Sequence, residues 1–204
     1  MEEPKNVKFD IFTTRLGYYT NDDEALHKRM LEETMSYQNK EGRVISNIGG
    51  FQSQDLPIEG VFKDFADTVL FSKFYEYLKD DFVFRPAQIR LDNMWANINY
   101  QYSSNITHEH PHTDFAFVYY LKVPEDSGDL IFDNPSPTIN YSVFFGRAWK
   151  NTASPANSLI FKLPPKAGTL VFFPAYLRHH VEQNQNPEVR VSIAGNLTVD
   201  IVDD

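Results

Sequence analysis

The sequence predicts an α+β chain in which helices pack against a small antiparallel barrel or jelly roll. Up to about residue 82 apolar residues recur at helical spacing, and from about residue 83 they alternate in short runs bounded by glycine- and proline-containing turns. The histidines add a third observation. Five of the six lie in two short clusters, and each cluster adjoins an apolar run of strand character. The 204 residues, 42% apolar and 15% aromatic, suit one domain spanning 1–204 with its own core: support over about 1–82 and the β core over about 83–204.

The first element is a strand over residues 8–13 (KFDIFT). Asn21 then opens NDDEALHKRMLEETMSY as a capping side chain, with Asp22, Asp23 and Glu24 at the positive end of the helix dipole. Leu26, Met30 and Leu31 form its apolar stripe. A Gly-Gly turn follows in SNIGGFQSQDL, and VFKDFADTVLFSKFYEYLKD repeats Phe62, Phe65, Val69 and Tyr77 as a second packing helix. RLDNMWANINYQY then alternates, with Trp95, Asn97, Asn99 and Gln101 on one face and Met94, Ala96, Ile98 and Tyr100 on the other. Five further strands are FAFVYYLKV, DLIFD, SLIFKL, TLVFFP and VRVSIAGNLTV. Residues 134–157 form a long polar excursion, expected as a lid over a site or a disordered loop.

Composition narrows the function. A net charge of −9 makes the chain a poor candidate for sequence-independent nucleic-acid binding, a local basic patch aside. The chain has no cysteine, which removes disulfides, thiolate metal sites and cysteine nucleophiles and suits a reducing compartment. No apolar run reaches membrane-spanning length and no signal pattern opens the chain. The expectation is therefore a soluble cytoplasmic protein (in the host, for a viral chain). Its partners would be a small-molecule or peptide substrate and at most a second copy of itself, not a membrane.

His108, His110 and His112 fall within HEHPH, and His179 and His180 follow TLVFFPAYLR. In extended backbone His108 and His110 share a face, whereas the adjacent His179 and His180 point apart, so only one of the latter can join the pair. Three such imidazoles make half of an octahedral shell for iron, copper, nickel or zinc, with positions open to substrate. The competing reading is that they are ordinary surface and core histidines. The last strand adds Arg190 and Ser192 on one face and Val191 and Ile193 on the other. An inward arginine needs an anionic partner, and its fork with a hydroxyl matches a carboxylate. Tyr120 shares its strand face with Ala116 and Val118, and is either part of that site or core.

The run HEHPHTDFAFVYYLKVPEDSGDLIF, then PPKAGTLVFFPAYLRHHVEQN, then EVRVSIAGN, resembles the Fe(II)/2-oxoglutarate-dependent oxygenases. It is most similar to their small prolyl-hydroxylase-like branch in bacteria and phages, and SNIGGFQS and Trp95-x-Asn97 match that branch as well. The resemblance implies a double-stranded β-helix, with Fe(II), O2 and 2-oxoglutarate as co-substrate. It also implies hydroxylation of a prolyl or other amino-acid or peptide substrate, releasing succinate and CO2. Carried over, His108 and His179 are metal ligands, Arg190 and Ser192 are the R-x-S element that holds the far carboxylate, and Tyr120 is its tyrosine partner. The family's second ligand is usually a carboxylate, and here two readings stand. Either HEH is the motif and His110 the ligand, or His112-Thr113-Asp114 is a shifted His-x-Asp. The first is expected, because the second leaves no loop before FAFVYYL; Glu109 then points away. A halogenase is disfavoured, since His110 fills the position that such chemistry vacates. The alternatives in other classes are a cupin-like three-histidine metalloprotein that does not use 2-oxoglutarate, and a non-catalytic β-sandwich binding module.

Overall fold

The computed structural model describes residues 13–79, 87–136 and 158–201. The expected strand over 8–13, apart from Thr13, and residues 137–157 of the expected lid lie outside them. Helix α1 runs Glu24–Ser36 and buries Leu26 and Met30. Its cap is Asp23, whose carboxylate accepts from Leu26 N–H at 2.9 Å, and not Asn21. A cap must reach the second or third helical N–H, and Asn21 sits too far upstream. Its amide instead accepts from Asp23 N–H and donates to the Tyr119 hydroxyl at 2.9 Å. Helices α2 (Gly60–Phe65) and α3 (Phe71–Leu78) flank a π-helical stretch, Ala66–Leu70. The wide turn keeps Phe62, Phe65, Val69, Leu70, Phe74 and Tyr77 all buried.

The strands in chain order are β1 (Gly17–Thr20), β2 (Asn47–Ile48), β3 (Phe51–Gln52), β4 (Ala87–Asn99), β5 (Ser104–His108) and β6 (Phe115–Lys122). They continue as β7 (Leu130–Asp133), β8 (Ile160–Leu163), β9 (Thr169–Pro174), β10 (His179–Val181) and β11 (Arg190–Ile201). One antiparallel sheet has the order β1-β9-β6-β11-β4-β3 and the other β2-β5-β10-β7-β8. The turn at Gly49, with φ +70°, carries the chain from β2 in one sheet to β3 in the other; glycine adopts that backbone without steric cost. The short strands β1, β2, β3, β5 and β10 were not among the sequence expectations, because runs this brief carry too few alternations to register.

The helices cover the outer face of the larger sheet. Leu26, Met30, Phe62, Phe65 and Phe74 pack there against Met94, Ile98, Phe117, Tyr119, Phe172 and Val191. Period-two alternation then turns Trp95, Asn97 and Asn99 of β4, Tyr120 of β6, and Arg190 and Ser192 of β11 toward the smaller sheet. A second, smaller core of Ala116, Tyr120, Leu130, Phe132, Val171 and Phe173 joins the two sheets. This is the jelly-roll arrangement, with the site between its layers.

One irregularity in β4 changes which of its side chains reach the helical core. In the β4–β11 ladder Asn196 faces Asn93 but Leu197 faces Leu91, so Asp92 is an extra residue. An added residue reverses the side-chain phase. Leu91 and Ile89 therefore pack on the helical core, while Asn93 keeps the site-facing phase of Trp95 and Asn97. No helix among the described residues is long and apolar enough to cross a membrane.

Candidate active site

His108 and His179 occupy directly opposed positions on the neighbouring strands β5 and β10. His110 lies beyond the end of β5, so the pair is not held by strand alternation. Its backbone N–H donates to Ala175 O at 3.0 Å, which draws the loop back beneath the end of β9. The potential ligand atoms of His108, His110 and His179 all lie within 4.8 Å of one another. Trp95 stacks on His110 at 5.7 Å between ring centroids.

Hydrogen bonds fix the protons. His108 Nδ1 lies 2.8 Å from Ile106 O, His179 Nδ1 lies 2.8 Å from Leu177 O, and His110 Nδ1 lies 2.7 Å from Asn196 Oδ1. Each acceptor is a carbonyl oxygen, so each Nδ1 carries the hydrogen and donates it. The Nε2 atoms are left as bare lone pairs. His110 Nε2 and His179 Nε2 approach to 3.3 Å. With both Nδ1 atoms protonated this contact is no hydrogen bond, and two lone pairs so placed repel unless a cation lies between them. The donor set thus fits a metal ion that accepts imidazole nitrogen.

Burial keeps the three rings neutral. It lowers the pKa of His179 to about 3 and of His110 to about 4, with the neighbouring His108 reinforcing both, and it lowers His108 as well. Neutral imidazole is the metal-binding form.

The other candidates fall elsewhere. His112 is exposed in a left-handed turn conformation, with φ +68°. Asp114 is exposed, and its carboxylate accepts from Val199 N–H at 2.9 Å. Neither joins the cluster. Glu109 is exposed, and His180 sits beside His179 on β10 outside the group. The sixth histidine, His27, bridges α1 to the Tyr119 hydroxyl and Leu121 O.

Arg190, Ser192 and Tyr120 line the same cavity as the three histidines. Ser192 faces Tyr120 on one side and Asn97 on the other, and Arg190 faces Asn99. Arg190 is 2% exposed, and one terminal nitrogen donates to the carbonyls of Ser127 and Gly128, each at 3.0 Å. Its Nε is buried without a partner, and no carboxylate among the described residues forms an ion pair with it. Burial lowers its pKa, yet arginine stays charged. Burial likewise pushes the Tyr120 phenol up to about 12, so it is a neutral donor. A buried guanidinium beside two hydroxyls, without a carboxylate partner among the described residues, has the chemistry to accept an anion. The oxygens of Asn97 and Asn99 are also buried without a donor in this cavity.

Residues 93–196 match the family described as putative 2OG-Fe(II) oxygenase. The chain belongs to this oxygenase family. The oxygenase has the fold of solved relatives at low identity. A prolyl-4-hydroxylase from Pseudomonas putida is 13% identical, with 93% of this chain and 95% of that one covered and a TM-score of 0.62. The α-ketoglutarate-dependent epimerase SnoN of nogalamycin biosynthesis is 16% identical over 91% and 78% of the two chains, with a TM-score of 0.65. HygX from Streptomyces hygroscopicus, solved with nickel and 2-oxoglutarate, is 13% identical over 91% and 83%, with a TM-score of 0.63. No curated protein matches the chain by sequence. The likeness to the solved structures is one of fold, and the double-stranded β-helix follows from it.

Four residues around the cavity have a role that the sequence does not disclose. Asn196 lies in AGN with nothing to connect it to HEH, 86 residues away. The Ser127 and Gly128 carbonyls act through backbone, which residue type does not reveal. Trp95 was placed on the correct face by alternation, but its stacking on His110 needs the fold.

Proposed function

We propose that the chain is an Fe(II)- and 2-oxoglutarate-dependent hydroxylase whose metal ligands are His108, His110 and His179. One observation carries the reading: all three Nδ1 atoms donate to carbonyl oxygens, so three unprotonated Nε2 atoms are left within one cluster. Arg190, Ser192 and Tyr120 receive the far carboxylate of 2-oxoglutarate. Bound Fe(II) would supply oxygen activation coupled to decarboxylation of the co-substrate. The atoms balance as R–H plus 2-oxoglutarate and O2 giving R–OH, succinate and CO2.

The residues of this chain bind, orient and exclude water. Arg190 is held in place by the Ser127 and Gly128 carbonyls before any ligand arrives, so its charge costs little reorganisation. Phe173, Leu130 and Val181 line the cavity with apolar side chains, which disfavours water beside the three histidines. Asn97 and Asn99 present acceptor oxygens without donors, which supports a substrate bearing N–H groups, such as an amino acid or a prolyl or other peptide. An analogue lacking the donor would leave those oxygens unpaired, which is heavily penalised. The lack of cysteine supports a cytoplasmic enzyme.

Purified apo-protein should convert 2-oxoglutarate to succinate only when Fe(II) and O2 are both added, even without substrate. Tight Fe(II) binding with no 2-oxoglutarate affinity by calorimetry would instead establish a three-histidine metalloprotein of the cupin kind.

A further inference from the structure

The three histidines differ in what holds them from behind. His108 and His179 donate to backbone carbonyls, which side-chain replacement does not remove. His110 donates to a side chain, Asn196 Oδ1, at 2.7 Å. Asn196 is itself fixed, because its Nδ2 donates to Asn93 Oδ1 at 2.9 Å. The two asparagines are direct partners across the β4–β11 ladder, at the point where Asp92 interrupts the register. Outer partners of this kind set ring orientation, tautomer and basicity of a ligating imidazole. A carboxylate in the position of Asn196 would lend negative charge to the ring, and an amide lends none. Ligands and outer partners are therefore all neutral.

We propose that Asn196 is a positioning residue for the metal centre. It locks His110 with Nε2 inward, and as an amide it keeps the protein's contribution to the centre uncharged. The 2-oxoglutarate dianion then supplies the negative charge that the protein withholds. This rests on the three-histidine reading above.

Co(II) serves as the probe, added to apo-protein without 2-oxoglutarate, with calorimetry and the visible ligand-field spectrum as readouts. Asn196→Ala should weaken Co(II) binding about 10–100-fold. Asn196→Asp keeps the acceptor and adds charge. It should bind Co(II) at least as tightly as wild type, shift the ligand-field bands, and weaken subsequent 2-oxoglutarate binding. Asn93→Ala should show a milder form of the alanine effect. Co(II) affinity within twofold of wild type in Asn196→Ala overturns the proposal. So does equal weakening by Ala and Asp that tracks a common loss of apo-protein stability, which marks a merely structural residue. If His110→Ala itself leaves Co(II) binding intact, it is the three-histidine reading that falls.

Discussion

Each site residue has a distinct failure to predict. His108→Ala, His110→Ala and His179→Ala should each abolish metal-dependent succinate release, because three Nε2 atoms share one cluster. Asp114→Ala removes an acceptor for Val199 N–H and should leave metal affinity within a few-fold, as calorimetry would show. The opposite pattern, loss of metal in Asp114→Ala but not in His110→Ala, would restore the shifted His-x-Asp motif. Arg190→Ala should leave metal binding intact and raise the 2-oxoglutarate requirement more than about tenfold, since truncating a buried charge pair costs roughly 2–5 kcal/mol. Arg190→Lys should recover only part of this, because an ammonium cannot reproduce the fork. Titration of 2-oxoglutarate at saturating metal measures both.

At the level of elements, the proposed role of Arg190 implies that the turn between β6 and β7 couples stability to co-substrate binding. Gly128 has φ +88°, and a Cβ there would collide with the Glu182 carbonyl. Its own carbonyl holds Arg190. Gly128→Ala should therefore cost about 1–3 kcal/mol of stability, read as a lower urea midpoint, and raise the 2-oxoglutarate requirement in the same protein. A Gly→Ala change that stabilised the protein and left 2-oxoglutarate binding untouched would contradict this geometry. At α1, Asp23→Ala should cost about 0.5–2 kcal/mol, whereas Asn21→Ala should act through the lost Tyr119 contact and not through capping.

For the molecule as a whole, the buried His179 and half-buried His110 should make stability depend on pH. Burial lowers their pKa values from 6.5, to about 3 for His179 and about 4 for His110. The unfolded chain therefore binds protons that the folded apo-protein refuses. Stability should be fully present above about pH 6.5 and fall below it, by up to about 1.4 kcal/mol per pH unit for each histidine, until the folded values are reached. Urea denaturation of apo-protein at pH 7 and pH 5 checks the sign, and His179→Gln should flatten the difference. The same lowered values mean that protons compete weakly for the Nε2 atoms. Metal retention should therefore extend below the ordinary histidine range, measurable as Co(II) release on acidification.

Local physics made much of this chain readable from sequence. Period-two alternation placed Trp95, Asn97 and Asn99 opposite Met94, Ala96 and Ile98, and placed Arg190 and Ser192 opposite Val191 and Ile193, because side-chain direction in a strand depends only on position along it. Helical spacing found α1 for the same reason, and read α2, the π-helical stretch and α3 as one continuous helix. The adjacency of His179 and His180 limited the histidine cluster to one of them. Which histidine of HEHPH completes the cluster was decided only by tertiary structure. His110 lies beyond the regular strand, and a contact to Ala175 in a distant loop brings it in, while a left-handed turn carries His112 out. The pairing of Asn196 with His110, 86 residues apart, also depends on which strand and loop are brought together, which no local pattern contains. Periodicity gives the direction of a side chain within its own strand; which strands lie together, and in what register, is set by the packing of the whole chain.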